Sequence, residues 1–485
     1  MSALRPPDAS PAKVTKISAK EILKPFLKAL AVSFILLQFL FLGDLSYVYA
    51  TLFKSSNRVQ NFNFLFVDYD GGIVGQSVLD AYKRLEGESF PTLFPSSIEQ
   101  FPNPHQVRNT VCDGTYWAAM YVNPGATANL AAALGVGAAG TGSANLKSLT
   151  VIWNGAKYPA FSQSEVWPNM EALVLATRSS YYLRNASYII GSADLENEQV
   201  LNAFLDPVQA TEINLQPTNQ GDRVFYNTIS MVMPILQQFF FMMALNGISA
   251  QFHVFTKFSW AINALFRAVV ATLYTFIAAL CTTGYIWGFR EDWNVGAKQF
   301  VLSWMVYWLY MKINFLVFEI MTTFLSIAFV PFGVLTWILV NVASTISPFE
   351  LNPSFFRWAY ALPSHEAYQL LVQIWSDGCE SQLYRALPIM FSWWIVCVPI
   401  AVLCVRYRCI TAIQAERASV PVSETVQQAP KGRSDDRTSI SNSEEYHAAE
   451  TDTSVAKPIP EREDEAVRLE NLAYYPSYPP WPTTQ

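Results

Sequence analysis

Residues 26–49 read FLKALAVSFILLQFLFLGDLSYVY. Between Ala29 and Gly43 the polar side chains are Ser33 and Gln38, so a helix through this run presents hydrocarbon on nearly every side. At 1.5 Å per residue it is long enough to cross roughly 30 Å of lipid core. A cleaved signal peptide would start earlier and lead into a small-residue cleavage site. This run starts late, behind a basic tail, and no such site follows, so it reads as a membrane anchor.

Some 180 residues without a spanning segment come next. Then apolar runs crowd together at about 229–250, 268–289, 300–322, 324–347 and 387–405. Each can span as a helix. The runs at 300–322 and 324–347 nearly touch, which predicts a tight helical hairpin. Tyr47, Tyr49, Tyr285, Trp287 and Trp393 fall near run ends, where aromatic belts sit. The expected fold is a polytopic α-helical membrane protein with about six spans, one plus five.

Charge sets the expected orientation. Arg5, Lys13, Lys16, Lys20, Lys24 and Lys28 crowd the N-terminal tail, the stretch from Lys257 to Arg267 is basic, and Arg406, Arg408 and Arg417 follow the last run. Six crossings put all three stretches on one side, and positive charge marks that side as cytoplasmic. The predicted plan is a basic tail (1–25), a first span (26–49), a non-cytoplasmic domain (50–228), a five-helix membrane domain (229–405) and a cytoplasmic tail (406–485). The composition agrees: 52% of residues are hydrophobic and 14% charged, well below the quarter usual in soluble domains. No basic patch with interleaved aromatics occurs in a soluble segment, so nucleic acid is not an expected partner.

Within 50–228 the pattern alternates. Asn63–Asp68, Tyr116–Val122 and Leu149–Trp153 read as strands, and Val74–Leu85 and Glu165–Arg184 as helices, which predicts an α/β domain. Asp68-Tyr69-Asp70-Gly71-Gly72 lacks the ligand spacing of a calcium loop, because Gly72 and Leu79 stand where oxygen donors are needed. It reads as a strand-to-helix turn. Gly135–Gly142 has the composition of a phosphate loop without its Lys-Ser/Thr and reads as a plain loop. Asn185-Ala186-Ser187 is a glycosylation sequon in this domain.

Six cysteines are too scattered for a disulfide scaffold, and none form a CxxC pair. Cys112 and Cys379 lie outside the membrane on the predicted non-cytoplasmic side, where oxidation is allowed, and are a candidate disulfide. Cys409, just past the last run, is a candidate for palmitoylation. His105, His253, His365 and His447 are isolated, and GxSxG and HExxH are missing from the chain. The expectation is a non-enzyme with no cofactor and no metal. From about Gln414 the chain is rich in Ser, Glu, Asp, Pro and Gln and is expected to be disordered, with a Tyr/Pro-rich end at 474–482 offered to a cytoplasmic adaptor.

The layout resembles the fungal nitrosoguanidine-resistance protein family, and more distantly YhgE/Pip-type proteins and type-2 permeases of ATP-binding-cassette exporters. The resemblance is carried by Val67–Gly72, by Asp113-Gly114-Thr115-Tyr116-Trp117, by Trp153-Asn154-Gly155-Ala156-Lys157-Tyr158 and by Leu215-Gln216-Pro217-Thr218-Asn219. It extends to Pro353–Leu371, read as an outer segment, with Phe355-Phe356-Arg357-Trp358 and Ala361-Leu362-Pro363. It implies resistance to toxic compounds and a place in the plasma membrane or secretory pathway. With no Walker motif in the chain, ATP coupling would need a separate ATPase subunit.

Polar residues at membrane depth are the candidate substrate-handling groups. Lys312 falls in the middle of its run, and Glu319 lies two helical turns on, near the same face. Asn246 and Asn341 add polar positions on other spans. The expected function is transport or export of toxic or amphipathic compounds or lipids, by a chain that can self-associate. The alternative is a non-transporting scaffold or regulator acting through its external domain and its tail.

Overall fold

Helix α1 (Ala19–Thr51) leaves the run quoted above almost wholly unburied, as a lipid-facing helix must. Among its described side chains the one buried charged group, Asp44, accepts a hydrogen bond from Thr336 Oγ1 at 2.9 Å and ties the helix to the rest. The computed structural model of the chain describes residues 19–136 and 146–419. Most of the 135–142 loop and the chain beyond Ser419, with the Tyr/Pro-rich end, lie outside the described residues.

After α1, β1 (Asn63–Asp68), α2 (Ile73–Leu85), β2 (Thr92–Ser96), α3 (Pro104–Cys112), β3 (Ala118–Val122) and α4 (Ala126–Ala133) follow in order. Next come β4 (Lys147–Trp153), the one-turn α5 (Pro159–Phe161), α6 (Trp167–Ser192), α7 (Glu198–Leu205) and β5 (Gln209–Asn214). The five strands form one sheet in the order β2-β1-β3-β4-β5, with β3 and β4 antiparallel and the other pairs parallel. Side chains alternate across it. Leu65, Val67, Ala119 and Ile152 pack on Val107 and Val111 of α3, while Phe64, Phe66 and Met120 face the larger core that includes α2 and α6. The Asp68 carboxylate accepts from the backbone N–H groups of Asp70 and Gly71, both at 3.0 Å, and Gly71 takes φ +64°. Asp68–Gly72 is therefore a turn closed by its own side chain, which feeds α2.

The membrane part contains α8 (Ile229–Gln251), the one-turn α9 (Val254–Lys257), α10 (Trp260–Gly288), α11 (Ala297–Phe324), α12 (Val330–Ile346), α13 (Pro363–Trp375) and α14 (Leu383–Ser419). Among the described residues α1, α8, α10, α11 and α14 are long and apolar enough to cross a membrane, and α12 is a shorter apolar sixth. The chain is an integral membrane protein. Two bounds differ from the hydropathy reading. Helix α10 starts at Trp260 and α14 runs to Ser419, so Arg267 and Arg408 lie inside helices rather than in flanking loops.

The expected hairpin is also different. Helices α11 and α12 are joined by a short turn, yet α12 packs mainly on α1 and α13. It starts late, at Val330, and ends with the run at Ile346; the segment read as an outer one stays beside the α/β domain, where Tyr158 N donates to Tyr368 Oη at 3.0 Å. Asn341 Oδ1 accepts from Ser364 N at 3.4 Å, and His365 Nδ1 meets Ser344 O at 3.0 Å, so α13 begins beside the end of α12. Trp375 Nε1 then reaches Ser303 Oγ at 3.1 Å, which lays α13 along the first half of α11. Helix α12 is the short sixth apolar helix, α13 is a separate helix packed beside its end, and Pro353–Leu371 is mostly buried.

Candidate functional site

Helix α11 walls two cavities laid end to end. The larger, about 600 Å³, lies between α11, α13 and α14 and runs from Lys298 and Gln373 past Met305, Leu309 and Phe391 to Lys312 and Trp394. The smaller, about 210 Å³, lies between α10, α11 and α14 and runs from the same Lys312 and Trp394 to Arg267 and Glu319. From Lys298 to Glu319 is about 31 Å of helix, the thickness of a bilayer core.

Lys312 stands where the cavities meet. Its Nζ donates to Thr272 Oγ1 at 3.2 Å and lies 5.4 Å and 5.7 Å from the ring centroids of Trp308 and Trp394. Among the described residues it has no carboxylate partner, so its charge is held by one hydroxyl and two ring faces.

The end of the smaller cavity away from the α/β domain is a charge cluster. Glu319, 2% exposed, takes Arg267 Nε on Oε2 at 2.9 Å and Nη2 at 2.5 Å, with Arg408 Nη1 3.3 Å from Oε1. Asn246 Oδ1 accepts from Arg267 Nη2 at 2.8 Å and from Arg408 Nη1 at 3.0 Å. Removing one partner of such a group leaves another buried and uncompensated, so the cluster pins α8, α10, α11 and α14 together.

The structure brings Lys312 and Glu319 onto one cavity and puts Asn246 against the same cluster. Asn341 stands apart and joins the end of α12 to the start of α13. Arg267 and Arg408 escape a reading from sequence because basic residues at run ends count as flanks. The available signal was the apolar context of Arg267 in Ala264-Leu265-Phe266-Arg267-Ala268-Val269-Val270. Cys409 is 3% exposed, which does not suit the palmitoylation expected there, because an acylated thiol needs access. Asn185 lies inside α6 with Nδ2 bonded to Tyr181 Oη at 3.1 Å, so a glycan would have to be attached before that helix closes.

Apart from Val67–Gly72, the motifs that carry the family resemblance meet where the α/β domain sits on the membrane helices. Trp117 Nε1 donates to Glu350 Oε1 at 3.0 Å, Asn154 Nδ2 to Ser376 Oγ at 3.2 Å, Tyr158 N to Tyr368 Oη at 3.0 Å and Gln216 Nε2 to Asn294 O at 3.3 Å. Lys157 pairs with the buried Glu380 at 2.9 Å, and Cys112 and Cys379 are joined in a disulfide. Gly114 takes φ +78°, and a Cβ there would collide with the Glu380 carboxylate. A third, polar cavity of about 90 Å³ opens here. Burial pushes the carboxyl of Glu366 up to about 7 against the opposing pull of Arg385, and pushes the His365 imidazole, also on this face of α13, down to about 3.

No solved structure matches the chain. A stretch of 129 residues is 26% identical to the uncharacterized endoplasmic reticulum membrane protein YJR015W of Saccharomyces cerevisiae, a match that spans 25% of each chain. The model of a family described as a protein of unknown function, DUF3533, matches residues 33–398, from within α1 into α14, and the chain belongs to that family.

Proposed function

We propose that the chain moves amphipathic compounds or lipids across or within its membrane, and that it does so without covalent chemistry of its own. The observation that carries this reading is the pair of cavities along α11, which share Lys312 and Trp394. Hydrocarbon side chains with a few placed charges suit a substrate that is itself part apolar and part charged. The resemblance to nitrosoguanidine-resistance proteins and exporter permeases supports the same reading. The Cys112–Cys379 disulfide fits an α/β domain held on the lumenal or outer side, with both termini in the cytoplasm. ATP coupling, if used, falls to a separate subunit.

The test is a resistance and lipid-movement assay in cells expressing Lys312→Met, which removes the charge and keeps most of the volume. The variant should reach the membrane at normal abundance and lose at least about tenfold in transport rate, about 1.4 kcal/mol in barrier. Normal rates at normal abundance would remove Lys312 from the path.

A further inference from the structure

The smaller cavity carries more positive charge than the protein itself balances. Arg267, Arg408 and Lys312 surround it or its end cluster, and Glu319 is the one carboxylate among them. Arg267 is 3% exposed, lines the cavity, and has an Nη1 with no hydrogen-bond partner. Lys312, at the opposite end, has the Thr272 hydroxyl and two tryptophan faces, with no carboxylate partner among the described residues. Three cations against one carboxylate leave an excess of positive charge at membrane depth that is costly, and an anion in the cavity offsets it. The volume, about 210 Å³, is that of several waters at about 30 Å³ each, room for one phosphate or carboxylate group.

We infer that the smaller cavity is a binding site for an oxyanion, a phosphate or carboxylate, held between Arg267 and Lys312. For a membrane amphiphile the anion takes this cavity and the hydrocarbon extends past Trp394 into the larger one. That extension rests on the transport reading; the anion site does not.

The test uses the full chain, purified in neutral detergent and read by native mass spectrometry. The probes are dioleoyl phosphatidic acid, dioleoylglycerol with the same chains and no anion, and inorganic phosphate as competitor. The wild type should retain phosphatidic acid at least about tenfold better than dioleoylglycerol. Lys312→Gln should lose most of that preference. So should Arg267→Gln combined with Glu319→Gln, which leaves no carboxylate stranded. Glu319→Gln alone should bind phosphatidic acid at least as well as wild type, because it removes the competing anion. Displacement by phosphate identifies a soluble anion as a source, and resistance to it identifies the lipid headgroup. Equal retention of both lipids, or retention unchanged in Lys312→Gln, overturns the inference. If the double variant misfolds by size-exclusion profile, Lys312→Gln decides, since it gives up a single hydrogen bond. Anion retention in a protein that moves nothing keeps this site and ends the transport reading. Movement of a neutral amphiphile without anion retention does the reverse.

Discussion

Glu366 is fully buried on α13, and Arg385 Nε reaches its carboxylate at 3.2 Å. Its folded value of about 7 lies above the ordinary 4.5, so the folded state holds a proton that the unfolded state has released. The stabilisation this brings is complete below about pH 4.5 and is lost as pH rises through about 7. His365 works in the opposite direction. Its lowered value favours the fold above about 6.5 and withdraws that support as pH falls toward 3. The difference between two proteins, rather than one raw curve, isolates the carboxyl. Glu366→Gln should match the wild type in apparent melting temperature near about pH 4.5 and exceed it near about pH 8. Equal curves across that range would show that the carboxyl does not titrate with folding. At this scale the sequence was partly legible. Lys312 and Glu319 stood out because charge in hydrocarbon is rare, whereas Arg267 and Arg408 were hidden by their places at run ends.

Among the elements, α12 and α13 show what hydropathy can and cannot reveal. The run 324–347 was found with its end, since α12 stops at Ile346, but nothing in its composition says that it starts only at Val330 or that α13 packs back beside it. That packing depends on Asn341, Ser344, Ser364 and His365 meeting in space. The central strands β1, β3 and β4 were legible as apolar runs. The edge strands β2 and β5 were not, since Thr92–Ser96 holds a proline and Gln209–Asn214 is largely polar, as edges tolerate. The Cys112–Cys379 disulfide fastens α3 to the loop between α13 and α14, across a separation of 267 residues. Such a crosslink contributes about 2–4 kcal/mol. Reduction, or Cys112→Ser with Cys379→Ser, should lower the apparent melting temperature by several degrees. It should also raise proteolysis at the junction. An unchanged melting temperature with both thiols free would mean that the remaining junction contacts suffice.

For the molecule as a whole, the α/β domain, α13 and the cavities form one mechanical chain. The domain holds the 376–380 loop through Asn154, Lys157 and the disulfide, and that loop joins α13 to α14, which wall the larger cavity with α11. A domain movement would therefore be felt first at the cavity mouth near Lys298 and Asp377. The class of fold was visible in the spacing of apolar runs. The cavities were not, because they arise from how α10, α11, α13 and α14 pack, and no single run encodes that. The most direct test of the central claim is photo-crosslinking in native membranes with a clickable, diazirine-bearing amphiphile, followed by peptide mapping. Adducts should concentrate on residues lining the two cavities in α11 and α14, and should fall by about tenfold in Lys312→Met at equal abundance. Adducts confined to the lipid-facing sides of α1 and α10, unaffected by that substitution, would contradict the account.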